Sequence, residues 1–141
     1  MLILSCDHAG YEHTQKLMKY LDSKHIEYKY MGPIEFNPED DYPDFVNPAS
    51  LEVLKDTENN IGIFMCGSGV GANIVANRHK GIRAVLANDY TLAYLARKDE
   101  DANVLNIGAR LVSFRSALKI IKVFLTSEFE GGRHIRRINK Y

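Results

Sequence analysis

The stretch IGIFMCGSGVGANIVAN, residues 61–77, decides the fold. Its first six residues, IGIFMC, form an apolar run with no polar alternation, as in a strand buried on both faces. Gly67, Gly69 and Gly71 then fall within five positions, and a helical pattern follows from Val70. Strand, glycine turn and helix in that order make the first part of a βαβ unit, and the strands of such units are parallel.

Working outward, the rest of the chain alternates in the same way. Residues 2–6 are an apolar run and predict a first strand, and residues 13–24 carry Leu17, Met18 and Leu21 at helical spacing. Residues 26–31, IEYKYM, alternate as an edge strand would. Residues 32–44, with Pro33, Pro38 and Pro43, predict a long loop of the kind that binds ligands. Asn47-Pro48 has the form of an N-cap followed by proline at the first helical position, so a second helix is expected from there to about residue 56. Beyond the opening stretch, residues 82–87 and 104–107 predict strands, residues 90–98 and 114–126 predict helices, and a basic tail closes the chain. The expected architecture is α/β: a five-stranded parallel sheet in a three-layer sandwich, strand order 2-1-3-4-5, formed by one domain over residues 1–141. Ligands of such sheets bind beyond the carboxyl ends of the strands, where the strand order reverses. That point falls between the first and third strands, so it brings Cys6-Asp7-His8 beside Cys66–Gly71.

Composition narrows the function classes. Eighteen basic and eighteen acidic residues give zero net charge, which argues against nucleic acid or a membrane surface as partner. The charge is unevenly placed: GGRHIRRINKY at residues 131–141 is basic and NPEDDYPD at 37–44 is acidic, a distribution suited to a small anion. No apolar run reaches the length of a membrane span, and the first ten residues read as a strand rather than a targeting segment, so a cytoplasmic location is expected. Two cysteines, Cys6 and Cys66, are too few for a disulfide framework or a zinc site.

The motifs that carry chemistry lie at the predicted strand ends. The glycines of CGSGVGA let successive backbone N–H groups converge at the start of a helix, an anion-binding arrangement. Gly67, Gly69 and Ala72 match the dinucleotide fingerprint in form, but they follow the third strand, and 141 residues leave no room for a second nucleotide-binding half and a substrate domain. That fingerprint also leaves Cys66 unexplained. A thiol at the mouth of such a loop is expected to have a lowered pKa, which makes it a base or nucleophile near neutral pH; the alternative is a small buried core residue. Asp7 and His8 stand at the end of the first strand, where Asp7 suits a helix N-cap. Arg133 and Arg137 are four apart and share a helical face suited to phosphate, or form an ordinary solvated terminus.

SCDHAG, DYPDF, MCGSGVGANIVANRHKGIRAVLAND, DANVLNIGARLV and FEGGRH together resemble the type B ribose-5-phosphate isomerase family, which includes galactose-6-phosphate isomerase. The resemblance spans nearly the whole chain, with the motifs in the family's order and at matching intervals. It implies a Rossmann-like sandwich and a homodimer or a tetramer, with each site at a subunit interface and no metal or other cofactor. It implies a pentose-phosphate enzyme that interconverts ribose 5-phosphate and ribulose 5-phosphate through a cis-enediolate. Alternatives are a six-carbon sugar phosphate such as galactose 6-phosphate or allose 6-phosphate, or a non-catalytic sugar-phosphate binding protein. By the same resemblance Cys66 is the base. The amides of Gly67, Ser68, Gly69, Val70 and Gly71 stabilise the oxyanion, and Ser68 keeps the hydroxyl of the family's threonine. Asp7 and Tyr42 contact sugar hydroxyls, and His8, Arg110, Arg133, His134 and Arg137 gather around the phosphate. The chain departs from the family in ARKDEDANVL, where Asp99 and Glu100 replace histidine-asparagine. The family histidine opens the furanose ring, whereas an ionised aspartate accepts a proton but donates none.

Overall fold

The computed structural model describes residues 1–141. Five strands, β1 (Leu2–Cys6), β2 (Tyr28–Tyr30), β3 (Ile61–Cys66), β4 (Ala84–Leu86) and β5 (Val104–Gly108), form one parallel sheet. The helices are α1 (His8–Ser23), α2 (Tyr42–Leu54), α3 (Val70–Ala76), α4 (Tyr90–Glu100), α5 (Phe114–Thr126) and α6 (Arg133–Ile138). The strand alternation divides the core into two layers. Leu4, Cys6, Ile63, Met65, Leu105 and Ile107 point to the side covered by α1, α4 and α5. Ile3, Phe64, Cys66 and Val104 point to the side covered by α2 and α3. The two cysteines therefore face opposite layers, and both are free.

The sheet order is β2-β1-β3-β5-β4, so the last two strands exchange places relative to the expected 2-1-3-4-5. Burial explains the exchange. Every residue of β5 is buried, which requires neighbours on both sides, whereas all three residues of β4 are only half-buried, as befits an edge. The exchange leaves the reversal of strand order between β1 and β3.

Two helices start earlier than the sequence suggests. Asp7 caps α1 directly at the end of β1, its side chain accepting from the Gly10 N–H at 3.0 Å. Helix α2 begins at Tyr42, not after Asn47: Pro43 occupies its first turn and Pro48 lies inside it. A proline costs little where the first N–H groups are unpaired anyway. Pro48 removes an interior hydrogen bond, but on a solvent-exposed face, while Val46, Ala49, Ser50 and Val53 anchor the helix on the sheet. The long loop thus ends at Asp41. No helix is long and apolar enough to cross a membrane.

Candidate active site

The carboxyl ends of β1 and β3 deliver two helix starts to one crevice. From β1 come Asp7 and His8, and from β3 come Cys66 and the glycine loop. Gly69 is the N-cap of α3 and adopts φ +82°, a left-handed conformation open to glycine but strained for side-chain-bearing residues. The backbone N–H groups of Ala72, Gly69 and Ser68 lie close enough to the Cys66 sulfur to favour its thiolate. The Val70 N–H donates to Ser68 Oγ at 3.3 Å, which fixes the hydroxyl at the exposed rim. The loop is tied to β5 through Ala109 N–H to Cys66 O at 2.8 Å and Arg110 N–H to Gly67 O at 3.0 Å. Arg110 extends along the loop, with Nη1 3.3 Å from where a Cβ on Gly67 would stand. Tyr42, the first residue of α2, lays its ring against Gly71.

Cys66 is 5% exposed. Its thiol pKa is raised, contrary to the sequence-based expectation: burial dominates, the loop N–H groups oppose it, and the Asp7 charge adds to the rise. Asp7, also 5% exposed, is itself pushed above the ordinary carboxylate range by burial, against the N–H groups that cap onto it. Cys6 is pushed up by burial too and contacts the Tyr30 hydroxyl at 3.5 Å.

Asp7, His8, Tyr42, Cys66, Gly67, Ser68, Gly69, Val70, Gly71 and Arg110 thus assemble at one end of the sheet. Asp99, Arg133, His134 and Arg137 do not join them within the chain. Helix α4 runs back from the carboxyl end of β4, so Asp99 in its last turn lies toward the amino ends. There Arg83, just before β4, donates to the Glu100 and Asp101 carbonyls at 3.1 and 2.9 Å. Helix α6 packs on α4 and brings the buried His134 within 3.6 Å of Asp99, Nε2 to Oδ1. Asp99, Glu130 and His134 each offer a metal-ligating atom, all within 4.8 Å of one another. Lys98 Nζ already places a cation 3.0 Å from Glu130 Oε2.

Three further polar residues stand at the carboxyl end of the sheet that the sequence does not mark as site residues. Asp40 binds His8 from the loop after β2. Asn88 accepts the Gly108 N–H at 2.8 Å and fixes the end of β5. Asn106, fully buried on β5, donates to Asn73 Oδ1 at 3.3 Å. Asp40 sits in the acidic segment NPEDDYPD, and that charge run was its only signal in the sequence.

The carboxyl ends of β1 and β3 thus bring together a buried thiol, a glycine loop at a helix start and the Arg110 guanidinium, groups able to accept a proton and to bind a small anion. The family model for Ribose/Galactose Isomerase matches residues 2–141. A probable ribose-5-phosphate isomerase B of Mycoplasma pneumoniae is 39% identical over 139 residues, covering 99% of this chain and 91% of the relative. The ribose-5-phosphate isomerase B of Escherichia coli is 34% identical, over 97% of this chain and 91% of its own. The crystal structure of the Mycoplasma genitalium ribose-5-phosphate isomerase B with bound ribulose-5-phosphate superposes with a TM-score of 0.95 at 38% identity, covering 99% of this chain and 91% of that one. The chain belongs to the ribose/galactose isomerase family and so to the sugar-phosphate isomerases.

Proposed function

We propose that the chain interconverts ribose 5-phosphate and ribulose 5-phosphate, with Cys66 as the base. The observation that carries this reading is the buried Cys66 sulfur beneath the N–H groups of Ser68, Gly69 and Ala72. The names and the ribulose-5-phosphate ligand of the relatives support the choice of sugar.

The Cys66 thiolate takes the proton from C2 of the open-chain aldose. The C–H electron pair forms the C1–C2 double bond, and the carbonyl electrons move onto O1, giving a cis-enediolate. The loop amides receive that charge. Return of the proton from Cys66 to C1, with transfer of the O2 hydroxyl proton to O1, completes the ketose. Ser68 Oγ at the rim is suited to carry that second proton. Asp7 and Tyr42 hold sugar hydroxyls, and His8 and Arg110 meet the phosphate.

A homodimer completes the site. One chain keeps Asp99, Arg133, His134 and Arg137 away from the glycine loop, which supports a site that takes them from a second copy. Exposed apolar side chains on α3 and α4, namely Val70, Ile74, Leu92 and Leu95, offer the surface for that copy. In this reading Asp99 from the second copy stands near the anomeric centre, with His134 beside it as the group able to donate a proton.

Conversion of ribose 5-phosphate followed by ketose absorbance, in wild type and Cys66→Ala, tests the reading. Loss of a positioned base lowers turnover by about 10²–10⁴-fold. A wild type inactive on five- and six-carbon sugar phosphates would sink the enzyme reading; an undiminished Cys66→Ala would sink the base.

A further inference from the structure

Asp40 is the least expected group at the crevice. It closes the loop between β2 and α2, and its side chain is only 6% exposed. Oδ1 accepts the His8 backbone N–H at 3.0 Å and lies 2.6 Å from His8 Nδ1. Oδ2 is buried without a partner. A buried carboxylate with one orphaned oxygen is costly, and a loop closure alone needs no charge, since an amide or hydroxyl oxygen accepts a backbone N–H as well. The carboxylate also stands close enough to Asp7 for their charges to oppose each other. The feature that a neutral acceptor would not supply is the short, charge-assisted contact to the imidazole.

The consequence for His8 is a fixed orientation. Where Asp40 is ionised it only accepts, and the 2.6 Å contact then requires the proton on Nδ1. Nε2 is then the ring nitrogen left for a ligand. The ring is further held by Phe36, edge-on at 6.5 Å, which in turn packs edge-on against Tyr11 at 6.1 Å. Asp7 caps the same helix start, and the Ala9 Cβ is 3.6 Å from where a Cβ on Gly67 would stand. His8 is therefore anchored on both sides, by the glycine loop through the start of α1 and by the β2–α2 loop through Asp40.

We propose that Asp40 is a positioning residue for substrate binding. It locks the His8 imidazole with Nδ1–H toward itself and Nε2 toward the crevice, and it balances the positive charge His8 takes on when it donates from Nε2 to the substrate phosphate. The proposal rests on the reading of His8 as a phosphate contact.

The test combines spectroscopy and a double-mutant cycle. Ring ¹⁵N spectra of neutral His8 in the wild type show the proton on Nδ1, and Asp40→Asn shifts the population toward Nε2–H, the form favoured in water. In the isomerase assay Asp40→Asn raises KM for ribose 5-phosphate about tenfold and leaves kcat within about twofold, the size expected for losing one charge-assisted contact. His8→Gln raises KM by a similar factor, and the double variant is no worse than His8→Gln alone. A merely structural Asp40 gives a different pattern: its KM effect persists in full in the His8→Gln background, which overturns the proposal while His8 remains a substrate group. If His8→Gln leaves KM unchanged, the phosphate role of His8 falls and the proposal with it. Asp40→Ser, which keeps an acceptor for the His8 backbone N–H, repeats the cycle if Asp40→Asn folds poorly.

Discussion

Gly71→Ala separates the demands of the helix from those of the site. Gly71 is the second residue of α3, with no left-handed backbone to preserve. On helix propensity alone the change stabilises by about 0.5–1 kcal/mol. The Tyr42 ring opposes that gain: an alanine Cβ would stand 2.5 Å from its Cζ and 2.7 Å from its Oη, well inside van der Waals contact. Forcing that ring aside costs about 1–3 kcal/mol, as overpacking does. The net effect is between about zero and 2.5 kcal/mol of destabilisation, or a fall in Tm of up to roughly 8 °C for a chain of this size. In a Tyr42→Ala background the obstacle is gone, and Gly71→Ala raises stability by about 0.5–1 kcal/mol. The coupling between the two positions is therefore about 1–3 kcal/mol, measurable by urea titration of the four proteins at one protein concentration. Isomerase assays add a second readout. With Tyr42 holding a sugar hydroxyl, Gly71→Ala raises KM when Tyr42 is present and changes little in the Tyr42→Ala background. Equal stabilisation by Gly71→Ala in both backgrounds would refute the packing argument, and unchanged KM with strong coupling would remove Tyr42 from the site.

Two further outcomes follow from the charges at the crevice. Burial raises the Cys66 thiol, so in a Cys6→Ser background alkylation by iodoacetamide is slow at neutral pH and accelerates as pH rises through and beyond the ordinary thiol range. The sign is fixed because only the thiolate reacts and a raised pKa postpones its formation; fast alkylation at pH 7 contradicts it. Asp99→His places an imidazole where the carboxylate lies 3.6 Å from His134. If ring opening limits turnover, this variant is faster on cyclic ribose 5-phosphate, and unchanged turnover means that another group, His134 first among them, already opens the ring.

The opening stretch was decisive for the fold because local chemistry and tertiary placement agree there. Strand β3 is buried on both faces, as its unbroken apolar run requires, and Gly69 adopts the backbone that its position in the turn suggests. The order of β4 and β5 was not legible in the same way. Both read as short apolar strands, and the difference between them is which one finds neighbours on both edges. The start of α2 is not legible in the sequence because Asn47-Pro48 and Asp41-Tyr42-Pro43 are both plausible helix openings, and only packing of Val46 on the sheet chooses between them. At the site, the residues beside the glycine loop were legible from position along the strands. Asp40 was not, because its importance lies in a contact across 32 residues of sequence to His8.

The raised Cys66 pKa sharpens what the glycine loop does. A loop that only activated the thiol would hold its pKa down, and the N–H groups of Ala72, Gly69 and Ser68 do act in that direction. Burial outweighs them, so in the free chain the thiol is the favoured form at neutral pH. The same N–H groups serve a second charge during the proposed reaction, since negative charge leaves the thiolate as it forms on the enediolate oxygen. With the thiol as the resting form, donors on the thiolate lower the cost of reaching it but weaken it as a base, whereas donors on the enediolate oxygen lower the transition state directly. A cradle that holds the thiolate weakly, in a dry pocket, keeps a strong base and reserves its donors for the oxyanion. Charge then moves a short distance within one set of fixed dipoles, with little reorganisation around it. On this view the Asp7 charge, which also raises Cys66, contributes to basicity while Asp7 holds the sugar, and Asp7→Asn should weaken the base as well as the binding.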